Sequence, residues 1–346
     1  MNALFTELAQ IFYPDDERLN EVTFSSTIAS VAVFASAISL LRHLFELKIA
    51  SNLASLLCVR DRRKLPGENP ELEECYKKCR NPDRGMMVEI CRETGMEARG
   101  VDVWFRRRRN LDRPSKEKKF KETLWRLVYY AALVAVAIVT LWDAPWFKDT
   151  DECWTDFGKQ QKFVSVHIYY HLEAGFYVSL LFSVFTDVRR KDFLEMVVHH
   201  FVTLLLLAYS HLCSIERIGT LIMAVHDVSD VFLELAKTLH YAGWNRVAEH
   251  TFTLFAVVFM ATRWIIFPFW LIASTVRHLT VHYYQCVGFL LALQVLHLFW
   301  GATIIRMAVK MVREGQVAKD DRSDVDEETD EEEEEEVKGE GEKKED

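Results

Sequence analysis

Seven apolar stretches punctuate the chain, near residues 24–46, 124–142, 163–186, 193–211, 216–236, 251–275 and 284–305. As helices rising about 1.5 Å per residue, each approaches or exceeds the length that crosses about 30 Å of hydrocarbon. The pattern predicts an all-α polytopic membrane protein with about seven transmembrane helices, because a lone helix satisfies its own backbone in lipid. The fifth stretch is the least apolar, since it holds His226, Asp227 and Asp230. Trp125, Tyr129, Tyr130, Trp142 and Trp146 bracket the second stretch, as amphipathic rings do at a membrane–water boundary.

The connections alternate in charge. Segment 48–123 is rich in Lys and Arg, residues 187–192 read Asp-Val-Arg-Arg-Lys-Asp, and the last stretch leads into Arg306, Lys310 and Arg313. The intervening connections 143–162 and 212–215 are acidic or nearly neutral, with Arg277 in 276–283 as a mild exception. This asymmetry predicts a lumenal N-terminus and a cytosolic C-terminus. The polar start to about Asn20 has no basic n-region, so the first stretch is expected to act as an uncleaved signal-anchor. A whole-chain charge of −9 conceals a tail, 320–346, in which seventeen acidic residues face four basic ones. The remainder is therefore mildly basic. Four regions follow: 1–47, the lumenal N-terminus with the first span; 48–116, a basic cytosolic segment; 117–318, six spans; and 319–346, a disordered acidic cytosolic tail. The seven cysteines are scattered without a C-x-x-C pair. Cys75, Cys79 and Cys91 fall on the cytosolic side, where disulfides are rare, and no local fourth ligand completes a zinc site. Cys153 and Cys213 share the other side, and the sequence leaves their pairing open.

Segment 48–123 is long enough to fold. Glu71–Lys78 and Pro82–Thr94 read as short helices, with Gly95 as a stop. Val101-Asp102-Val103-Trp104-Phe105-Arg106-Arg107-Arg108-Arg109-Asn110 resembles the recognition helix of a homeodomain, with Trp104 and Phe105 at its core positions. A homeodomain reads adenine through an Asn two positions after the aromatic core residue, and here that position is Arg107. A module tethered between two spans also has poor access to a genome, so no nucleic-acid partner is expected. Its arginines are expected to face water or anionic headgroups, with the phosphates of a substrate tail as the alternative.

Ionisable residues inside apolar stretches carry the functional signal. An Asp at a helix centre costs roughly 2.5–3.5 kcal/mol on the insertion scale, so such groups mark a polar cavity. On the fifth stretch His226, Asp230 and Glu234 follow at i, i+4 and i+8, and with Met223 and Asp227 they form one stripe. The fourth supplies His199, with Thr203 one turn on, and His200; the third supplies His167, Tyr170, His171 and Glu173. A single buried histidine is ordinary as an interhelical hydrogen bond. A set on three consecutive spans points to chemistry: acid, base and nucleophile, or metal ligation. His167/His171 gives HxxxH, but Met196-Val197-Val198-His199-His200 has Met where an HxxHH box has its first ligand, and no second box exists. A di-iron site is thus short of ligands, and no metal is expected.

Val198-His199-His200-Phe201-Val202-Thr203, the run Arg217–Asp230, Glu234-Leu235-Ala236-Lys237, Tyr241-Ala242-Gly243-Trp244, Thr262-Arg263 and Phe267-Pro268-Phe269-Trp270 together resemble the signature of ceramide synthases. The likeness covers a TLC domain over about 117–318, and the homeodomain-like segment and the acidic Asp321-Arg322-Ser323-Asp324 tail resemble the animal members. It implies an N-acyltransferase of the endoplasmic reticulum membrane that joins fatty acyl-CoA to a sphingoid base, without a metal or redox cofactor; acyl-CoA is a co-substrate. His199, His200, Asp227 and Asp230 are then the expected catalytic residues. His226, Glu234, Thr203, Glu173, Arg189, Arg190 and Lys191 are expected to bind substrate. The last lumenal loop, Ser274–Cys286 with Thr275, Arg277, His278 and His282, is expected to bear on acyl-chain preference. A non-enzymatic TLC protein that binds or moves lipid is the alternative. Membrane lipids, and a second ceramide synthase in a homo- or heterodimer, are further expected partners. In the tail, Ser323 and Thr329 precede acidic runs that suit an acid-directed kinase, and Lys343 and Lys344 stand as in a dilysine retrieval signal.

Overall fold

The computed structural model describes residues 24–59, 63–156, 163–188, 190–278 and 284–314, and no strand occurs among them. Helix α1 (Phe24–Phe45) runs through a π-turn, Glu46–Ala50, into α2 (Ser51–Leu56). Three short helices follow: α3 (Pro70–Lys78), α4 (Arg84–Thr94) and α5 (Ala98–Asp112). Then come α6 (Lys116–Leu141), a single turn α7 (Pro145–Lys148), α8 (Val164–Ser183), α9 (Phe193–Leu212) and α10 (Glu216–Tyr241). Helix α11 (Asn245–Phe259) continues through a π-helical run, Met260–Ile272, into α12 (Ala273–His278), and α13 (Tyr284–Glu314) completes the bundle.

Five helical stretches, Thr27–Leu56, Ala98–Leu141, Phe193–Leu212, Asn245–His278 and Tyr284–Met311, are long and apolar enough to cross a membrane. Helices α8 and α10, at 20 and 26 residues, match the remaining two predicted spans in length only. Their low hydropathy has one cause: they carry the buried His, Tyr, Asp and Glu side chains. Helix α10 packs most extensively on α6 and α11, and also touches α8, α9 and the π-run. Neighbouring helices thus shield its polar stripe from lipid. On the flank, α1 lies along α8, and Gly175 makes that approach feasible: a Cβ there would stand 2.9 Å from Phe34 Cβ and 3.2 Å from the Ala35 backbone nitrogen.

The basic segment is a three-helix module. Asn69 caps α3 by accepting from the Glu71 and Leu72 amides, Asp83 caps α4, and Gly95 ends α4 at φ 67°. Leu72, Tyr76, Ile90, Val101, Trp104 and Phe105 form its own small core. Trp104 Nε1 donates to the Gly67 carbonyl at 2.6 Å. Arg108 does not face water alone: it donates to Glu73 at 2.8 Å and to Asp112 at 2.6 Å, and its Cζ lies 4.9 Å from the Tyr76 ring centroid. The hydrogen bond from Arg108 holds the Glu73 carboxyl below its ordinary value. Elsewhere, no disulfide joins Cys153 to Cys213, and burial pushes the Cys153 thiol up to about 12.

Candidate active site

The site lies where α8, α9, α10, the π-run and α13 converge. Pro268 has no N–H to offer an α-turn, and the π-run around it carries Arg263 into the bundle interior, 5% exposed. The Arg263 guanidinium donates to Asp230 Oδ1 at 3.0 Å, to the His226 carbonyl at 3.2 Å, and to the Ser229 hydroxyl. Its Cζ rests 4.7 Å from the Phe259 ring centroid. The arrangement locks one turn of α10 to the π-run through an ion pair on one carboxyl oxygen of Asp230.

Imidazoles crowd the same region. His226 Nδ1 donates to the Ile222 carbonyl at 2.6 Å, which leaves Nε2 of the neutral ring as an acceptor, 3.2 Å from His297 Nε2. The His199 and His200 ring centroids are 5.5 Å apart, Tyr177 stands edge-on to both, and Trp300 stands edge-on to His199 at 5.4 Å. The Tyr169 hydroxyl donates to Asp227 Oδ2 at 3.2 Å.

Two cavities meet here. The first, about 660 Å³, is walled by apolar side chains such as Leu206, Leu207, Ile218 and Leu293, with Thr203, Glu173, His226 and Asp227 as polar points. The second, about 1090 Å³, is lined by Arg126, Arg190, Lys237, Glu234, His200, Asp230, Arg263 and His297. Among the described residues, His199 alone lines both. Several buried polar atoms around the junction have no hydrogen-bond partner in the protein: Nδ1 of His199, His200 and His297, Oγ1 of Thr203 and Oε2 of Glu234. Native interiors rarely leave such atoms unmatched, so a concentration of them marks a place built to meet a ligand.

Most of the sequence-derived residues come together, with exceptions. His199 and Thr203 share the first cavity, while His200 turns to the second, as adjacent residues about 100° apart on a helix must. Arg190 lines the second cavity; Lys191 is exposed outside it, and Arg189 lies outside the described residues. Thr275 lines the first cavity, whereas Arg277 and His278 are exposed, His278 stacking on Trp154 at 5.5 Å. His282, Ser323, Thr329, Lys343 and Lys344 lie outside the described residues. His167 and His171 do not join the cavity. Glu173 is two residues past His171, about 200° round the helix, so the two histidines face elsewhere. Sequence reasoning missed His297 and gave no role to Arg263 or Tyr177. An ionisable residue inside an apolar run was the available signal for the first two.

This architecture defines a TLC-domain membrane protein, and the chain matches that family over residues 119–306 and the homeodomain family over residues 66–114. It is 39% identical over 307 residues to ceramide synthase 5 of Homo sapiens, covering 86% of this chain and 78% of that protein. Ceramide synthase 3 of Homo sapiens is 37% identical over 281 residues, 79% of this chain and 73% of its own length. Ceramide synthase 1 LOH3 of Arabidopsis thaliana is 35% identical over 233 residues, 62% and 76% of the two chains. The chain belongs to the ceramide synthase family and is an acyltransferase enzyme.

Proposed function

We propose that this protein transfers the acyl group of a fatty acyl-CoA to the amine of a sphingoid base, giving an N-acyl sphingoid base and free coenzyme A. The observation that carries the reading is His199 at the wall shared by an apolar cavity and a charged cavity whose lining includes Arg126, Arg190, Lys237 and Arg263 beside Asp187, Asp192, Asp230 and Glu234. Coenzyme A phosphates would sit against Arg126, Arg190 and Lys237, and the fatty chain would enter the apolar cavity, which puts the thioester at His199. Asp227 or Asp230 attracts the ammonium of the incoming base. That amine must lose a proton before it attacks, and a neutral imidazole is suited to take it.

In the covalent route His199 attacks the thioester carbonyl, the acyl–nitrogen bond forms, the carbon–sulfur bond breaks and coenzyme A leaves as its thiolate, which is protonated in solution. The amine then attacks the acyl-imidazole, forming the amide and returning the nitrogen lone pair to His199, while His200 takes the proton from the amine. A water-poor cavity protects the intermediate from hydrolysis. The same reading places the N-terminus in the lumen of the endoplasmic reticulum, the charged cavity towards the cytosol and seven helices across the bilayer.

Incubation with acyl-CoA alone tests it. The expected result is an acyl-sized mass gain at His199 with release of about one equivalent of coenzyme A, discharged by added sphinganine. Neither a mass gain nor a burst from demonstrably active enzyme would return His199 to the role of general base. Loss of acylation in neither His199→Ala nor His200→Ala would remove the pair from catalysis altogether.

A further inference from the structure

The histidines that turn away from the cavities form a second cluster at the end of the bundle where α8 begins and α9 passes into α10. We propose that His167, His211 and Glu216 bind a zinc ion that clips these three helices together. One nitrogen of each histidine and one Glu216 oxygen all lie within 4.8 Å of one another. His167 is 2% exposed and Glu216 7%. Two imidazoles and a carboxylate are borderline donors that suit zinc in a four-coordinate site. Zinc bonds of about 2.0–2.2 Å would set the three donors about 3.4 Å apart, a side-chain rotation away from the present spacing.

The surroundings are those of a ligand set. His211 Nε2 lies 3.3 Å from Thr27 Oγ1, which orients the ring and leaves Nδ1 towards Glu216 Oε1 at 2.5 Å. Zinc takes the place of the proton that joins these two atoms. An independent observation points the same way. His171, 2% exposed, donates its Nδ1–H to the His167 carbonyl at 2.9 Å, so its Nε2 carries a lone pair, and that atom has no partner. Its ring centroid is 4.2 Å from that of His167, and it walls the place of a water that completes the zinc's coordination. None of His167, His171, His211 and Glu216 lines either cavity, so this zinc holds structure and takes no part in acyl transfer.

The test uses the full chain purified without a polyhistidine tag. Elemental analysis is expected to find about one zinc per chain in the wild type. His211→Ala and Glu216→Gln should fall below about a tenth of that, because even outer-shell losses weaken zinc affinity by about 10–100-fold. His200→Ala keeps its zinc. Should the variants fail to fold, the wild type suffices: after stripping with a chelator, zinc should raise the thermal midpoint by about 5 °C, and cobalt(II) should give the visible bands of a four-coordinate site. Zinc far below stoichiometry with no thermal shift and no cobalt bands overturns the site, as does zinc that both variants retain or another metal bound in its place.

Discussion

Replacing Arg263 with Met keeps most of the side-chain volume and removes the charge. In the native protein the guanidinium serves Asp230, Ser229 and the His226 carbonyl, and the side chains of the ion pair are 6% and 21% exposed. Breaking a buried pair by removing one partner costs about 3–5 kcal/mol, mostly because the other charge is stranded. Asp230 keeps some access to the second cavity, which places Arg263→Met near the lower end, about 3 kcal/mol. At roughly 2–4 °C per kcal/mol, the thermal midpoint should fall by about 6–12 °C.

Asp230→Asn in that background removes the stranded charge. The double variant should recover about half of the loss, an interaction of about 1.5 kcal/mol between the sites. Acylation should not return with stability if, as proposed, Asp230 helps to receive the incoming amine. Intrinsic fluorescence in one detergent at one scan rate gives the midpoints, and sphinganine acylation gives the activity. Strictly additive effects, or a single Arg263→Met loss below about 1 kcal/mol, would refute the buried-pair argument.

Three further outcomes follow from the packing and the charges. Gly219→Ala would place a Cβ 1.7 Å from the Tyr170 hydroxyl, which is engaged with Ser210 Oγ at 2.6 Å and the Glu216 carbonyl at 3.1 Å; overpacking should cost about 1–3 kcal/mol, and Tyr170→Phe should restore part of it, so an unchanged midpoint in Gly219→Ala would sink the clash. In the three-helix module, the hydrogen bond from Arg108 holds Glu73 down, and for Asp112 burial pulls up while Arg108 and Tyr76 outweigh it, so both are shifted downward. Their support is complete above the ordinary Glu value of 4.5 and fades as pH falls through the lower folded values; hydrogen exchange of residues 70–112 should show protection falling in that window, and falling less in Arg108→Gln, whereas pH-independent protection would dismiss the pair. Exchanging Ser274–Cys286 for the loop of a relative with another chain preference should shift the acyl-CoA profile through Thr275 and Cys286, which line the apolar cavity, and an identical profile would refute that role.

Hydropathy marked every long helix but not where each ends. Helix α6 starts eight residues before its apolar stretch, because Ser115 accepts from the Lys118 amide and the Lys116–Lys121 turns are helical though polar. The stripe on α10 was legible because 3.6-residue periodicity is a local property. The partnership of Arg263 with Asp230 and that of His297 with His226 were not, because they join positions 33 and 71 residues apart and depend on how helices pack. His167 and His171 stand apart from Glu173 for a geometric reason: they share its span but not its face.

The division of labour between the cavities has a chemical logic. An acyl-CoA is charged at one end and apolar at the other, with its reactive carbon between them. A single polar cavity would leave the fatty chain in water, and a single apolar one would strand the phosphates. Here the charged lining of the second cavity, with Arg126, Arg190 and Lys237 among its cations, and the apolar walls of the first cavity stand on either side of His199. On the proposed reading, a substrate that satisfies both ends would bring its thioester to one imidazole, and binding energy from remote groups would become positioning at the reacting centre. Shortening the fatty chain should on this argument lower kcat as well as raise KM, since the lost contacts hold the carbonyl in place. An acyl-CoA series in which only KM changed would show instead that the apolar cavity anchors the chain without aligning it.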